Sequence, residues 1–143
     1  MTEVGVSIVN VFVHMIIATK GWTPVLTNDM RTEITERLVR NFKMRDAIVA
    51  AINSAPEHFH VLIKLPSYRS LSEVVGWTKG ECSHWFNSNH ENKLYWQKGY
   101  WATVVSFEEV PNVSNYITAQ TEIHKKLSFE KEMSQFRANR ITP

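Results

Sequence analysis

The residues with the clearest chemical potential are two histidines, His58 and His60, near the middle of the 143-residue chain. In an extended strand alternate side chains point to one face, so the two imidazoles are separated by about 6.6 Å along the same side. That spacing lets two ring nitrogens reach one metal ion. The opposite face of this predicted strand is apolar and consists of Phe59, Val61, Ile63 and Leu65. Because a His-x-His pair alone is a weak motif, a metal site here needs a third ligand.

A second polar pair, Tyr116 and Gln120, lies on one face of a predicted C-terminal helix. Apolar residues recur on this face at helical spacing, namely Val113, Ile117, Ile123 and Leu127. An unsatisfied buried amide costs about 1 to 3 kcal/mol, so we expect a polar group to meet Gln120. Considered alone, such a pair favours a packing tyrosine and an amide bonded to the backbone.

Taken together, these residues resemble a known family. The chain is similar to the single-tyrosine transposases of bacterial insertion sequences and to the REP-associated tyrosine transposases, within the His-hydrophobic-His endonuclease superfamily. The similar segments follow in order at residues 13–21, 57–60, 71–80, 96–100, 116–120 and 124–130. Carried over by position, the resemblance implies that His58 and His60 are metal ligands, that Gln120 is the third ligand, and that Tyr116 is the nucleophile.

The reaction implied by the resemblance is cleavage and rejoining of single-stranded DNA through a 5′-phosphotyrosine intermediate, in DNA transposition. At pH 7 only about one phenol in a thousand is ionised, so attack on a phosphodiester needs a Lewis acid on the phosphate. Neutral imidazole and amide ligands leave the charge of a divalent cation uncancelled, and we expect Mg²⁺ or Mn²⁺. The phosphotyrosine keeps the energy of the broken bond, and the sequence has no glycine-rich nucleotide loop, so no nucleotide cofactor is expected.

The partners implied by the resemblance are single-stranded DNA with hairpin ends and a second copy of the chain. In such a homodimer the tyrosine helix serves its own histidine pair or that of the partner, and the sequence is compatible with both. The net charge of +2 is low for a nucleic-acid-binding protein, so any basic surface must be local. We expect Lys79, Lys93 and Lys98 to contact DNA.

Two other residues are candidates for secondary roles at this site. His124 follows Gln120 by four positions and could replace or supplement it as a ligand if the helix were rotated. Glu57 precedes the histidine pair and could accept a hydrogen bond that orients an imidazole, although an exposed hairpin acid is equally compatible with its position.

Three alternative functions stay open from the sequence. A non-catalytic domain that binds single-stranded DNA hairpins would use the histidines for packing or for a structural metal. A host-retained relative that processes repeated palindromes would share the same site. A zinc hydrolase that activates water would need a catalytic carboxylate, and the sequence offers none at motif spacing.

The elements that position these residues follow from hydrophobic period and turn signals. Strands are predicted at about 8–19, 47–53, 58–65 and 100–106, and helices at about 28–45, 70–85 and 110–136. Asn28 and Ser70 are the expected caps of the first two helices. This order predicts an α+β fold with an antiparallel sheet of four to five strands, ferredoxin-like or RNA-recognition-motif-like, in one domain spanning residues 1–143.

Composition is typical of one globular domain, with 43% hydrophobic residues. The single cysteine, Cys82, cannot form an internal disulfide, and we expect a packed thiol in a reducing compartment. The sequence has no secretory signal and no apolar run of about 18 residues. We therefore expect a cytoplasmic protein that does not associate with a membrane.

Overall fold

A four-stranded antiparallel sheet forms the centre of the computed structural model, which describes residues 7–138. The strands are β1 (Val11–Ala18), β2 (Ile48–Ala55), β3 (His58–Leu65) and β4 (Trp101–Val105), in the spatial order β2-β3-β1-β4. Two long helices connect them, α1 (Asn28–Met44) between β1 and β2 and α2 (Leu71–Asn89) between β3 and β4. This is the predicted α+β, ferredoxin-like arrangement, with four strands.

The main hydrophobic core lies between one face of the sheet and helices α1 and α2. Alternate residues of β1 and β3 point into it because side chains alternate across a strand. The buried residues contributed by the two central strands include Met15, Ile17, Phe59, Val61 and Ile63, and those contributed by the helices include Ile34, Leu38, Phe42, Val75 and Phe86. Cys82 belongs to the same core, and burial raises the pKa of its thiol to about 12, so the predicted packed thiol is confirmed.

Side-chain caps fix where the long helices begin. Thr27, not the predicted Asn28, caps α1, because its hydroxyl accepts a hydrogen bond from the Met30 amide at 3.2 Å. Ser70 caps α2 as predicted, since its hydroxyl accepts from the Glu73 amide at 3.2 Å. The prediction that α2 ends near residue 85 is wrong, because the polar residues that follow continue the helix to residue 89.

The β2–β3 hairpin places the histidine pair at the start of a central strand. The two strands are joined at Pro56 and Glu57, and Ala55 pairs with His58 at the end of the ladder. β3 pairs with β1 on its other side, so both backbone edges of the strand are hydrogen-bonded. The predicted bounds of β3, residues 58–65, are confirmed.

The C-terminal region differs from the predicted single helix at residues 110–136. It consists of three helices, α3 (Val110–Thr118), the short α4 (Gln120–Ile123) and α5 (Phe129–Ala138). The chain leaves the helical path after α4, and a new helix begins where the Ser128 hydroxyl accepts a hydrogen bond from the Lys131 amide at 3.2 Å. α3 and α5 lie on the sheet face that α1 and α2 leave open.

No helix within the described residues 7–138 is both long enough and apolar enough to cross a bilayer.

Candidate active site

His58 and His60 lie side by side on the sheet face opposite the main core. Both side chains are fully buried, and their ring centroids are 5.0 Å apart. Their neighbours across the ladder are Ala18 and Ile16 of β1, which face the same way. The prediction that both imidazoles share one face is confirmed, with Phe59 between them pointing into the main core.

Helix α3 carries Tyr116 to the histidines of its own chain. Ile117 is buried against Leu62 of β3, which fixes the helix on this face. At the end of α3 the Asn53 amide donates hydrogen bonds of 3.1 Å to the carbonyls of Ile117 and Thr118. As a result the Tyr116 ring lies 5.6 Å from the His60 ring, measured between centroids.

Gln120 begins α4 and reaches the same place. Its side chain is 1% exposed, and its Oε1 lies 3.4 Å from His58 Nε2. The expectation that a polar group meets this buried amide is confirmed. The structure thus brings Tyr116 and Gln120 to the two histidines, although more than fifty residues separate these two pairs in the chain.

Glu132 of α5 is the site residue that sequence reasoning missed. Its carboxylate is fully buried, and Oε1 lies 3.3 Å from His58 Nε2 and 3.2 Å from His60 Nε2. The other oxygen, Oε2, accepts a hydrogen bond from the Tyr116 hydroxyl and one of 3.0 Å from Gln120 Nε2. The carboxylate therefore joins the histidine side of the site to the tyrosine side. The serine before Phe129, a helix-start signal, could have indicated the new helix that carries it.

The outer nitrogens of the two imidazoles have partners of their own. His58 Nδ1 lies 2.7 Å from Glu57 Oε1, and His60 Nδ1 lies 2.8 Å from His14 Nε2. His124 also reaches the site, with its Nε2 at 2.9 Å from Gln120 Oε1. A bond at Nδ1 fixes the ring orientation and leaves Nε2 as the nitrogen directed into the site. The predicted orienting role of Glu57 is consistent with this contact.

Burial and hydrogen bonding shift the pKa values of the site residues in opposite directions. Burial lowers the pKa of His14 to about 3 and also lowers the pKa of His60. Burial acts on His58 in the same way, but hydrogen bonds to Glu132 and Glu57 outweigh it and raise the pKa of that ring. Burial would raise the pKa of Glu132, yet its bonds to the two histidines hold it well below its ordinary value. The carboxylate is therefore ionised at neutral pH.

The Tyr116 hydroxyl is protonated at neutral pH in this environment. Burial raises the pKa of the phenol above its ordinary value, and the adjacent Glu132 carboxylate raises it further. This neutral phenol donates its proton in a hydrogen bond to the Glu132 carboxylate.

The donor set fits a divalent cation. One ring nitrogen of His58, one ring nitrogen of His60 and one oxygen of Glu132 all lie within 4.8 Å of one another. Gln120 Oε1 is directed toward the same group, so nitrogen and oxygen donors converge from three separate elements. Two imidazoles with a carboxylate suit Mn²⁺ or Zn²⁺ at least as well as Mg²⁺. The set differs from the all-neutral ligands expected from the sequence, because Glu132 adds a negative charge.

The three lysines expected to contact DNA occupy different environments. The Lys79 ammonium donates to the carbonyls of Gln97 and Gly99 at 3.0 and 2.8 Å, and burial lowers its pKa. Lys93 donates to two carbonyls at the C-terminal end of α2, at 2.7 and 2.9 Å. Lys98 is exposed and lines a cleft beside the histidines.

Comparisons with known proteins bear on the family and the fold. A sequence family described as "Transposase IS200 like" matches residues 7–120, which leaves Glu132 outside the matched part. A search of curated proteins finds no significant match.

Two solved structures share the fold. The first is a candidate transposase from Deinococcus radiodurans, with a TM-score of 0.65 and 20% identity over 84% of this chain and 98% of that one. The second is the REP-associated tyrosine transposase bound to a REP hairpin, with a TM-score of 0.65 and 16% identity over 89% of this chain and 76% of that one.

Proposed function

The chain belongs to the IS200-like transposase family, and on that premise we propose that it cleaves and rejoins single-stranded DNA with Tyr116 as the nucleophile. The observation that carries the proposal is the convergence of three groups on one buried carboxylate. The Tyr116 hydroxyl contacts Oε2 of Glu132, while Nε2 of His58 and of His60 contact Oε1. Nucleophile and phosphate-activating groups are thereby held within one site, as transfer of a phosphoryl group to a side chain requires.

In the proposed reaction the Tyr116 oxygen attacks the phosphorus atom of the scissile phosphodiester. A bond forms between the phenol oxygen and phosphorus, and the bond between phosphorus and the 3′ oxygen breaks. The products are a 5′-phosphotyrosine and a free 3′-hydroxyl. The phenol proton leaves along its hydrogen bond to Glu132 Oε2. Because this carboxylate is a weak base beside the histidines, the proton passes on through solvent to the departing 3′ oxygen, which becomes the 3′-hydroxyl. Attack of a later 3′-hydroxyl on the phosphotyrosine reverses these steps and rejoins DNA.

The residues that would hold a divalent cation are His58 and His60 through Nε2, with Glu132 and Gln120 through oxygen atoms. A bound Mg²⁺ or Mn²⁺ would supply Lewis-acid stabilisation of the charge that develops on the phosphate oxygens. Glu57 contacts Nδ1 of His58, and His14 contacts Nδ1 of His60, so both rings are kept in their orientation.

The proposed substrate is single-stranded DNA with hairpin ends. One solved structure of similar fold is bound to a REP hairpin, and this supports the same class of ligand here. Tyr116 lies beside the histidines of its own chain, so one subunit holds the full set of groups. A homodimer remains an expectation from the family resemblance, and a cytoplasmic location remains an expectation from the sequence.

The test is a covalent-adduct assay with hairpin-bearing single-stranded DNA and Mn²⁺, resolved on a denaturing gel. We expect the wild-type protein to become linked to the DNA and the Tyr116→Phe and His58→Ala variants to lose the linkage. Tyr68→Phe is a matched control, because Tyr68 is 69% exposed and contacts Asp46 away from the site. An adduct that persists in Tyr116→Phe overturns the proposal, and a DNA complex without any adduct favours the non-catalytic binding domain.

A second candidate is hydrolysis with water, and the observation that favours it is Glu132. Two histidines and one glutamate form the ligand set of several zinc hydrolases, and Glu132 completes such a set beside the histidine pair. Such an enzyme would cut DNA without becoming attached to it and would tolerate Tyr116→Phe. The same gel therefore separates the two reactions.

A further inference from the structure

An aromatic cleft opens directly beside the histidine pair, between α5 and the strands β1 and β4. Its volume is about 350 Å³, which is within the usual range for small-ligand sites. Ile16 and Ala18 of β1 line it. The aromatic side chains that line it are Trp22, Tyr100, Trp101 and Phe129.

The cleft is continuous with the candidate active site through one ring. Phe129 stacks on His58 with a centroid distance of 3.9 Å and an interplanar angle of 9°. Trp22 packs against the same phenylalanine, with centroids 4.9 Å apart. On the other side Trp101 approaches His14 at 5.2 Å. The Phe129 ring therefore contacts both His58 of the candidate active site and Trp22 of the cleft.

The charge around the cleft is positive. Lys98 and Arg137 line it, and the described residues of its lining include no acid. The Arg137 guanidinium lies 5.6 Å from the centroid of the Trp22 ring, as in a cation–π contact. Lys98 also lines a second, open groove together with Lys20, so cations continue along the surface beyond the cleft.

We propose that this cleft binds one unpaired base of the DNA strand next to the scissile phosphate, with Trp22 as the main stacking surface. The inference rests on the proposed function, because it takes DNA as the ligand. Aromatic walls stack on any base, while Lys98 and Arg137 neutralise the adjoining phosphates. Loss of one stacked base lowers affinity by about 5- to 150-fold.

The test measures binding of two fluorescent probes by anisotropy, without divalent ions so that no cleavage occurs. One probe is a short oligo(dT), and the other is an oligonucleotide of equal length in which every base is replaced by an abasic site. We expect the wild-type protein to prefer oligo(dT), and Trp22→Ala to lose about 5- to 150-fold of that preference. Lys98→Ala should weaken both probes equally, because Lys98 meets the backbone.

The matched control is Trp77→Ala. Trp77 is also partly buried under an arginine, with the Arg45 guanidinium 3.7 Å from its ring centroid, but it lies on α2 and does not line the cleft. We expect Trp77→Ala to keep the wild-type preference for oligo(dT). Trp22→Phe keeps an aromatic ring against Phe129 and should retain most of the preference for oligo(dT). This variant therefore separates loss of stacking from misfolding. Thermal melting curves check that all variants are folded.

Failure of this inference is distinguishable from failure of the proposed function. If Trp22→Ala weakens both probes equally, or behaves as Trp77→Ala does, the cleft does not bind a base even where the covalent adduct forms. If the base preference depends on Trp22 and no adduct forms with hairpin DNA, the cleft assignment stands and the tyrosine mechanism is wrong.

Discussion

Glu132→Ala is the substitution that most directly tests how the C-terminal helix completes the site. The carboxylate is fully buried and accepts hydrogen bonds from Tyr116 and Gln120, while it contacts the two histidines through its other oxygen. Its removal leaves a buried amide donor without its acceptor and a raised-pKa imidazole without its counter-charge. Breaking a buried, hydrogen-bonded ion pair by removing one partner costs about 3 to 5 kcal/mol of unfolding free energy. For a chain of this length about 1 kcal/mol corresponds to about 3 °C, so the melting temperature should fall by about 10 to 15 °C.

The assay is thermal unfolding followed by circular dichroism, with EDTA present so that only the metal-free protein is compared. Glu130→Ala is the matched control, because it removes a carboxylate from the same helix at an exposed position and should cost no more than about 1 kcal/mol. Added Mn²⁺ should raise the melting temperature of the wild-type protein more than that of Glu132→Ala, since a ligand stabilises the state that binds it. Equal melting temperatures for the two alanine variants in EDTA would refute the reasoning, because Glu132 would then not be docked at the histidines.

Three further predictions concern the scaffold. Burial would raise the pKa of Glu81, but hydrogen bonds from Arg37 outweigh burial and hold the pKa below its ordinary value. The ionised Glu81 carboxylate therefore stabilises the folded protein at pH values above the unfolded-state pKa. This stabilisation is lost as the pH falls through the lower folded-state pKa. Urea titrations should accordingly show Glu81→Gln less stable than wild type at pH 7, with the difference vanishing in acid, and a difference that grows in acid would contradict this sign. Phe129→Ala removes a buried ring from His58 and should lower the unfolding free energy by about 3 kcal/mol in urea titrations; a loss below about 1 kcal/mol would mean that α5 is not held through this ring. Ser70→Ala removes the cap of α2 and should cost about 1 kcal/mol by thermal melting, and an unchanged stability would show that the bond to the Glu73 amide contributes nothing.

Sequence pattern was sufficient for the central fold because its rules act over short distances. The alternation around Phe59 assigned the two faces of β3, and the pattern of four strands and two long helices led to the ferredoxin-like arrangement that the structure has. The same local rules led to errors of one or a few residues at element ends, such as the cap of α1, because Thr27 and Asn28 are both good capping residues.

The C-terminal region was predicted less well because its structure depends on contacts with the open sheet face, which is formed by residues far away in the chain. Residues 110–136 carry an almost continuous helical pattern, yet the chain breaks after α4 and turns so that α5 returns to the sheet. Ser128 is a recognisable start signal, but its effect competes with helix propensity on both sides. Packing of Phe129 on His58 and burial of Glu132 at the histidines favour the broken path.

From the sequence alone it followed that two imidazoles share one strand face, that a tyrosine and a glutamine lie close together later in the chain, and that the family resemblance gives them roles. Only the tertiary structure decided that these groups meet within one chain, that Glu132 lies between them, and that an aromatic cleft adjoins them. The physical reason is the range of the interactions. Strand alternation and helix spacing are properties of neighbouring residues, whereas the approach of α5 to β3 depends on burial and charge pairing between segments more than seventy residues apart.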